Sequence, residues 1–249
     1  LQLVMICSNL DRFGVTGAYL EGLKWIEMLE ANHSFSQKEE WQVNEMKALL
    51  LNERGNQDEF LPIWYKLLKQ YREADRPEDV GKCLLTIANH FVMLEDYENA
   101  LPLYKEAYQL ALEHKSIELQ QVSGIMLIKY LCGAGYYSES LEYYKKLNQE
   151  IVFNLSVQNE VVKSYMELNK PDSARIYLAE RSLSDKGDKI ALNCMMAETY
   201  TLEKQEDSAF VYLDRAVKSY KEKTKYYQGK DREVVLPGYF LSKIGRAHV

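Results

Sequence analysis

The chain has 249 residues, of which 47% are hydrophobic and 27% charged, and its formal net charge is −6. This composition is ordinary for a chain that folds around an apolar core. Only 12 glycines and 5 prolines are present, which argues against an all-β fold because such folds need many turns. The mild acidity argues against direct nucleic-acid binding, and no apolar run approaches the roughly 20 residues that span a bilayer.

The first residues, Leu1 to Cys7, are apolar but follow no basic segment. A truncated signal peptide is one interpretation of this stretch. We favour the other, a helix that opens partway through a repeat.

Apolar residues then recur at three- and four-residue spacing through most of the chain, which is typical of amphipathic helices. One stripe consists of Leu84, Ile87, Ala88, Phe91 and Leu94, and the next of Tyr97, Leu101, Tyr104, Ala107, Tyr108 and Ala111. Only Glu95 and Asp96 separate the stripes, so the two helices are predicted to be antiparallel neighbours.

The segment from Asp96 to Ala107 has counterparts on both sides along the chain. Equivalent packing positions fall at residues 60, 100, 140, 174 and 209, which gives repeat lengths of 40, 40, 34 and 35 residues. The longer spacings imply longer helices or longer links. Pro62 and Pro102 share one repeat position, which we place in the first turn of the second helix, where a missing N–H is harmless.

The clearest copy reads Ala88, Phe91, Ala100, Tyr104 and Ala107, and the last reads Ala197, Tyr200, Ala209, Leu213 and Ala216. This order of small and aromatic residues resembles the tetratricopeptide repeat, in which the small residues lie where two helices cross. The resemblance implies an all-α, right-handed α-solenoid of antiparallel helix pairs with about six repeats. Armadillo or HEAT repeats, with periods of about 40–47 residues, are the structural alternative.

We predict one superhelix over residues 1–243, and its repeats fall at about 1–34, 36–74, 77–115, 117–152, 153–185 and 187–225, with a partial repeat at 228–243. An uncapped last repeat would favour self-association. Residues 244–249 back-translate to a sequence that resembles a short-read sequencing adapter. We therefore exclude them from the fold and expect the natural chain to continue beyond Lys243.

No arrangement of reactive residues predicts catalysis, a metal site or a cofactor. His33, His90 and His114 lie far apart, and the four cysteines form no C-x-x-C pair, so we expect buried free thiols. The stretch from Gly133 to Gly135 follows a helix and is interpreted as a helix-ending turn rather than a phosphate loop. We expect no enzyme activity, and either the cytoplasm or the periplasm remains open as the compartment.

The 19 tyrosines fall mostly at or beside packing positions, so we interpret them as core residues rather than as a ligand groove. The resemblance implies that the first helix of each pair lines the concave face through repeat positions 2, 5, 9, 12 and 13. The candidate ligand-binding residues among these positions are Glu45, Asn52, Asn89, Val92, Lys129, Asn159, Lys163, Met166 and Glu198. Asn89 fits one member of the family's carboxylate-gripping set, but Lys129 stands where the next asparagine is wanted, so we do not predict that mode.

We expect a non-catalytic scaffold that binds a protein or peptide along the concave face. The alternative is the sensor or regulatory segment of a bacterial signalling protein or transcription regulator, whose membrane, kinase or DNA-binding part lies beyond this segment. The sequence that follows Lys243 would separate these two functions.

Overall fold

In this computed structural model the described residues are 18–53, 57–147, 155–182 and 189–227. All regular secondary structure in these ranges is α-helical, and no strand occurs among them. The helices are α1 (Ala18–Asn32), α2 (Gln37–Glu53), α3 (Gln57–Glu73), α4 (Pro77–Met93), α5 (Tyr97–Glu113), α6 (Ile117–Gly133), α7 (Tyr137–Lys146), α8 (Leu155–Glu167), α9 (Pro171–Ser182), α10 (Lys189–Leu202) and α11 (Glu206–Tyr227). The predicted all-α repeat fold is confirmed.

The helices follow one another at regular intervals. Helices α2 to α7 begin at residues 37, 57, 77, 97, 117 and 137, which are intervals of 20 residues, and α2 to α6 contain 17 residues each. Later helices are shorter, with 13 residues in α8 and 12 in α9, and the pairs that begin at 155 and 189 are 34 residues apart. The 40-residue spacing of the earlier repeats therefore comes from longer helices, not from longer links.

The short turns share one backbone geometry. In the α4–α5 turn Glu95 has a φ of 58°, and its N–H donates to the carbonyl of Val92 at 2.9 Å. The N–H of Asp96 donates to the carbonyl of Phe91 at 2.9 Å, which completes a Schellman motif. The left-handed residues at this turn position are Asp75, Glu95, Lys115, Gly135, Asn169 and Lys204. Since α6 ends at Gly133, the predicted helix end before Gly135 is confirmed.

The chain divides into two compact units, Leu1–Ser123 and Gly124–Val249. In the first unit, each helix from α1 to α5 packs against the next helix along the chain. Its main core joins aromatic and aliphatic side chains, among them Trp41, Leu51, Phe60, Trp64, Leu67, Tyr71, Leu84 and Ile87. The rings of Trp41 and Tyr71 meet edge-on with centroids 4.9 Å apart, and the Arg76 guanidinium lies 5.4 Å from the Trp41 ring. These contacts connect α2 and α3 to the start of α4.

In the second unit, each helix from α7 to α11 packs against the next, and α8 also contacts α10. Two polar residues occupy repeat positions at which the pattern has small apolar residues. Ser140 is buried and donates from its hydroxyl to the carbonyl of Ile128 at 2.8 Å. Arg181 is buried, and its Nη2 atom donates to the hydroxyl of Tyr144 at 2.7 Å. Both polar side chains therefore form at least one hydrogen bond in the core.

The predicted packing register agrees with the pattern of burial. The buried residues at the helix-crossing positions are Ala48, Ala88, Ile128, Val162 and Ala197 on the first helices and Phe60, Ala100, Ser140, Ala174 and Ala209 on the second helices. Tyrosines 71, 104, 108, 144 and 177 are buried as well. The prediction that tyrosines are core residues is therefore confirmed for these five, whereas Tyr65 and Tyr136 are exposed.

The prediction that Pro62 and Pro102 lie in a first helical turn is wrong. Each is the sixth residue of a 17-residue helix, α3 or α5, and so lies in the second turn. There each proline removes one hydrogen bond to the carbonyl four residues back. Both prolines are exposed, so water can reach the carbonyls that they leave without a donor.

Several predictions fall outside the described residues. These concern the first helix of the first repeat within residues 1–17, the partial repeat at 228–243 and the adapter-like residues 244–249. The single superhelix over 1–243 and its right-handed sense stay predictions.

Candidate functional site

A pocket of about 290 Å³ opens in the first unit between the first halves of α4 and α6. These are the first helices of two consecutive repeats. The residues that line the pocket are Glu78, Lys82, Leu85, Ser116, Glu118, Leu119 and Val122. Lys82 and Val122 occupy repeat position 2, and Leu85 occupies position 5. The pocket therefore lies on the helix face that the repeat register predicts to meet a ligand.

Two residues of α4 and α6 approach each other closely at this pocket. Gly81 on α4 is buried, and a Cβ atom added to it would lie 2.3 Å from Cδ2 of Leu119 on α6. Only glycine leaves room for Leu119 in this position. Leu119 consequently packs over the α4 backbone and, with Leu85 and Val122, supplies the apolar part of the pocket lining.

The rim of the pocket carries an excess of negative charge. Glu78 and Glu118 are the second residues of α4 and α6, and both side chains are exposed. Lys82 is the one cation among the lining residues, and its Nζ atom lies 4.0 Å from Oδ1 of Asp79. Neither Glu78 nor Glu118 forms an ion pair within the described part of the chain.

The candidate residues of the first unit lie on α2 and α4, but none of them lines this pocket. Glu45 is half-buried and accepts a hydrogen bond from the hydroxyl of Tyr71 at 2.8 Å. Asn89 is exposed, and its Oδ1 atom accepts from the hydroxyl of Tyr104 at 2.5 Å. Asn52 and Val92 are half-buried.

The candidate residues of the second unit have more open side chains. Lys129, Asn159 and Lys163 are exposed, and the Nζ atom of Lys129 lies 5.3 Å from the centroid of the Tyr130 ring. Met166 on α8 and Glu198 on α10 are half-buried, on two helices that contact each other.

Sequence reasoning named none of the seven lining residues as a candidate. A signal for two of them was present, since Glu78 and Glu118 are separated by one 40-residue repeat and stand at equivalent helix starts. It was overlooked because an acidic residue in a first helical turn is common and needs no ligand to explain it.

The thiols of Cys83 and Cys132 have no nucleophilic character. Cys83 and Cys132 are buried and Cys194 is half-buried, so the prediction of buried free thiols is confirmed for the first two. Burial raises the pKa of Cys83 to about 12 and that of Cys132 to about 12. A thiol with such a pKa is protonated near neutral pH and is neither a nucleophile nor a metal ligand.

No group of three or more His, Cys, Asp and Glu side chains in the described ranges could hold a metal ion. No described helix is both long enough and apolar enough to cross a membrane.

No family model matches the chain, and no curated protein matches it. It is similar to a solved structure, BtubC (BKLC) from P. vanneervenii, with a TM-score of 0.55 and 16% sequence identity, over 95% of this chain and 96% of that one. This likeness shows the fold alone. It agrees with the all-helical repeat architecture seen in both units.

Proposed function

We propose that this chain is a non-catalytic, tetratricopeptide-type repeat that binds a protein or peptide along the face formed by the first helices of its pairs. The observation that carries the proposal is the pocket between α4 and α6 on that face. Apolar walls with a polar rim are the usual make-up of a recognition site.

The tetratricopeptide assignment rests on how the repeat positions are packed. In the clearest copy Ala88, Ala100, Tyr104 and Ala107 are all buried, and Phe91 is half-buried. Small side chains at these points let the helices of a pair approach closely, and the large ring of Tyr104 fills the space beside the crossing. The 34-residue interval between the pairs that begin at 155 and 189 equals the usual period of this repeat.

The small size and the exposed rim of the pocket fit one side chain of a peptide. Sites for drug-sized ligands usually enclose about 300–1,000 Å³ and bury most of the ligand. The pocket here, at about 290 Å³, is just below that range and is rimmed by exposed residues. It suits one side chain of a longer partner whose backbone runs along the helix face.

The test is a selection of peptides from a random displayed library on the purified chain, followed by calorimetry with individual variants. Val122→Arg puts a bulky cationic side chain at the pocket, which should exclude a partner side chain and weaken the selected peptides by about ten-fold or more. The matched control is Val211→Arg, since Val211 is an exposed valine on α11 and is not among the residues that line the pocket.

Asn89→Ala combined with Lys129→Ala should also weaken binding, because both residues belong to the predicted face. A library that yields no binder, or peptides that respond equally to the changes at residues 122 and 211, would contradict the proposed function.

A further inference from the structure

We propose that the pocket between α4 and α6 receives a Lys or Arg side chain of the partner peptide. This inference rests on the proposed function and names the chemistry of the partner. The walls of the pocket would hold the methylene stem of the side chain, and the glutamates at its rim would meet the cationic head.

The walls of the pocket are partly apolar. Leu85 is half-buried, Leu119 is 8% exposed and Val122 is 39% exposed, so apolar surface of the pocket is in contact with water. An occupant with a hydrocarbon stem would remove that surface from water. A short polar side chain, such as that of Ser or Asn, would leave this apolar surface in contact with water.

The rim of the pocket carries negative charge. Glu78 and Glu118 bring two carboxylates to the same pocket, and neither meets a cation within the described ranges. The ammonium of Lys82 pairs with Asp79, whose other oxygen accepts from Nε of Arg76 at 2.6 Å. The rim therefore has room for an added positive charge, whereas an anionic occupant would be repelled by both glutamates.

An acidic residue in a first helical turn ordinarily stabilises the helix dipole, and this role must be separated from a role in the pocket. Glu98 is the second residue of α5, as Glu78 is of α4 and Glu118 of α6, and all three can stabilise the helix dipole. Glu98 is not among the residues that line the pocket. Its substitution therefore measures the dipole effect without affecting the pocket.

The experiment titrates the ¹⁵N-labelled chain with four amino-acid amides and follows the backbone amide signals of α4 and α6. The probes are the Nα-acetyl, C-terminal methylamide forms of lysine, arginine, norleucine and glutamate. Lysine and arginine probes should shift the signals of Lys82, Leu85, Leu119 and Val122 saturably. The norleucine probe, which keeps the four-carbon stem but lacks the ammonium group, should bind about five-fold more weakly than lysine, and the glutamate probe should cause no saturable shift.

Variants then locate the effect. Glu78→Gln with Glu118→Gln should abolish the preference for lysine over norleucine, while Glu98→Gln should keep it. Raising the salt concentration should weaken the lysine probe and leave the norleucine probe unchanged, because exposed charges are screened within about 10 Å at 0.1 M salt.

Failure of this inference can be distinguished from failure of the proposed function, because the titration needs no selected peptide. If norleucine or glutamate binds as well as lysine, the inference is overturned while selected peptides still support the function. If no probe shifts the pocket signals but a selected peptide binds through Val122, the cationic side chain is again excluded. Selected peptides enriched in Lys or Arg whose affinity falls in the double glutamine variant would support it.

Discussion

Tyr104 on α5 donates a hydrogen bond from its hydroxyl to Oδ1 of Asn89 on α4, with 2.5 Å between the two oxygens. The Tyr104 side chain is fully buried, whereas Asn89 is exposed. The bond thus links the packed interior of a helix pair to the face predicted to bind a partner. It also orients the Asn89 amide, because the oxygen is engaged and the NH₂ group must point elsewhere.

This arrangement predicts that two substitutions of Tyr104 lower the free energy of unfolding by different amounts. Tyr104→Ala should lower the free energy of unfolding by about 3–5 kcal/mol, because it empties a large volume in the core. Tyr104→Phe keeps the ring and should cost only about 0.5–1.5 kcal/mol, the usual net contribution of one hydrogen bond. Urea denaturation followed by circular dichroism would measure both values. A neutral Tyr104→Ala variant would mean that the assigned packing register is wrong.

The left-handed turns predict opposite effects of glycine at two equivalent positions. A φ of 58° is sterically unfavourable for Glu95 because of its Cβ atom, so Glu95→Gly should raise the free energy of unfolding by up to about 1 kcal/mol. Gly135 has a φ of 86°, and a Cβ atom there would meet no other atom within 4 Å. Gly135→Ala should therefore cost about 1–2 kcal/mol through backbone strain alone.

Thermal melts of these two variants would provide the measurement. Glu98→Gly is a suitable control, because Glu98 lies inside α5, where glycine should cost about 1 kcal/mol. If Glu95→Gly destabilised the chain as much as Glu98→Gly does, left-handed strain at residue 95 would be excluded.

Local features of the fold could be predicted from the sequence. The break at Glu95 and Asp96 interrupts two clear apolar stripes, and the structure ends α4 at Met93 and begins α5 at Tyr97. The repeat spacing of 40 residues was also visible, because the small and aromatic residues that recur are those that helix crossings demand. Both signals are short-range patterns that each segment carries within itself.

The pocket and its charge could not be predicted in the same way. They depend on Leu119 packing over Gly81, a contact between two helices separated by a third helix along the chain. The tyrosine hydroxyls that engage Glu45 and Asn89 are also non-local, and they were missed because the tyrosines were considered only as core rings. The prolines were misplaced because α3 and α5 begin earlier than the Leu-Pro motif suggests.

The Gly81–Leu119 contact predicts strong coupling between the two positions. In an unobstructed helix, replacing glycine with alanine should stabilise by about 0.5–1 kcal/mol. At residue 81 the new Cβ atom would lie 2.3 Å from Cδ2 of Leu119, so the end of the Leu119 side chain must move and Gly81→Ala should instead cost about 1 kcal/mol, the low end of overpacking. In a Leu119→Ala background the same change should become stabilising. A double-mutant cycle in urea measures this reversal, and additive effects of the two changes would exclude the contact.

The last prediction concerns His90, whose side chain is only 5% exposed on α4. Its ring lies edge-on to Phe60 with centroids 4.6 Å apart, and its Nε2 atom has no hydrogen-bond partner among the described residues. Burial lowers the pKa of His90 below its ordinary value of 6.5. Above pH 6.5 the ring is neutral in both the folded and the unfolded chain, and it adds no pH dependence to stability.

As the pH falls below 6.5, the unfolded chain takes up a proton at His90 before the folded chain does. The free energy of unfolding therefore decreases on acidification, by at most about 1.4 kcal/mol per pH unit, until the pH reaches the pKa of His90 in the folded chain. His90→Phe keeps an aromatic ring against Phe60 and should remove this slope. His114→Gln, which changes an exposed histidine, should leave it unchanged. Urea denaturation between about pH 7.5 and about pH 5.5 would measure the free energy of unfolding of the three proteins. If this free energy depends on pH in the same way for the wild type and His90→Phe, the pKa of His90 does not change on folding.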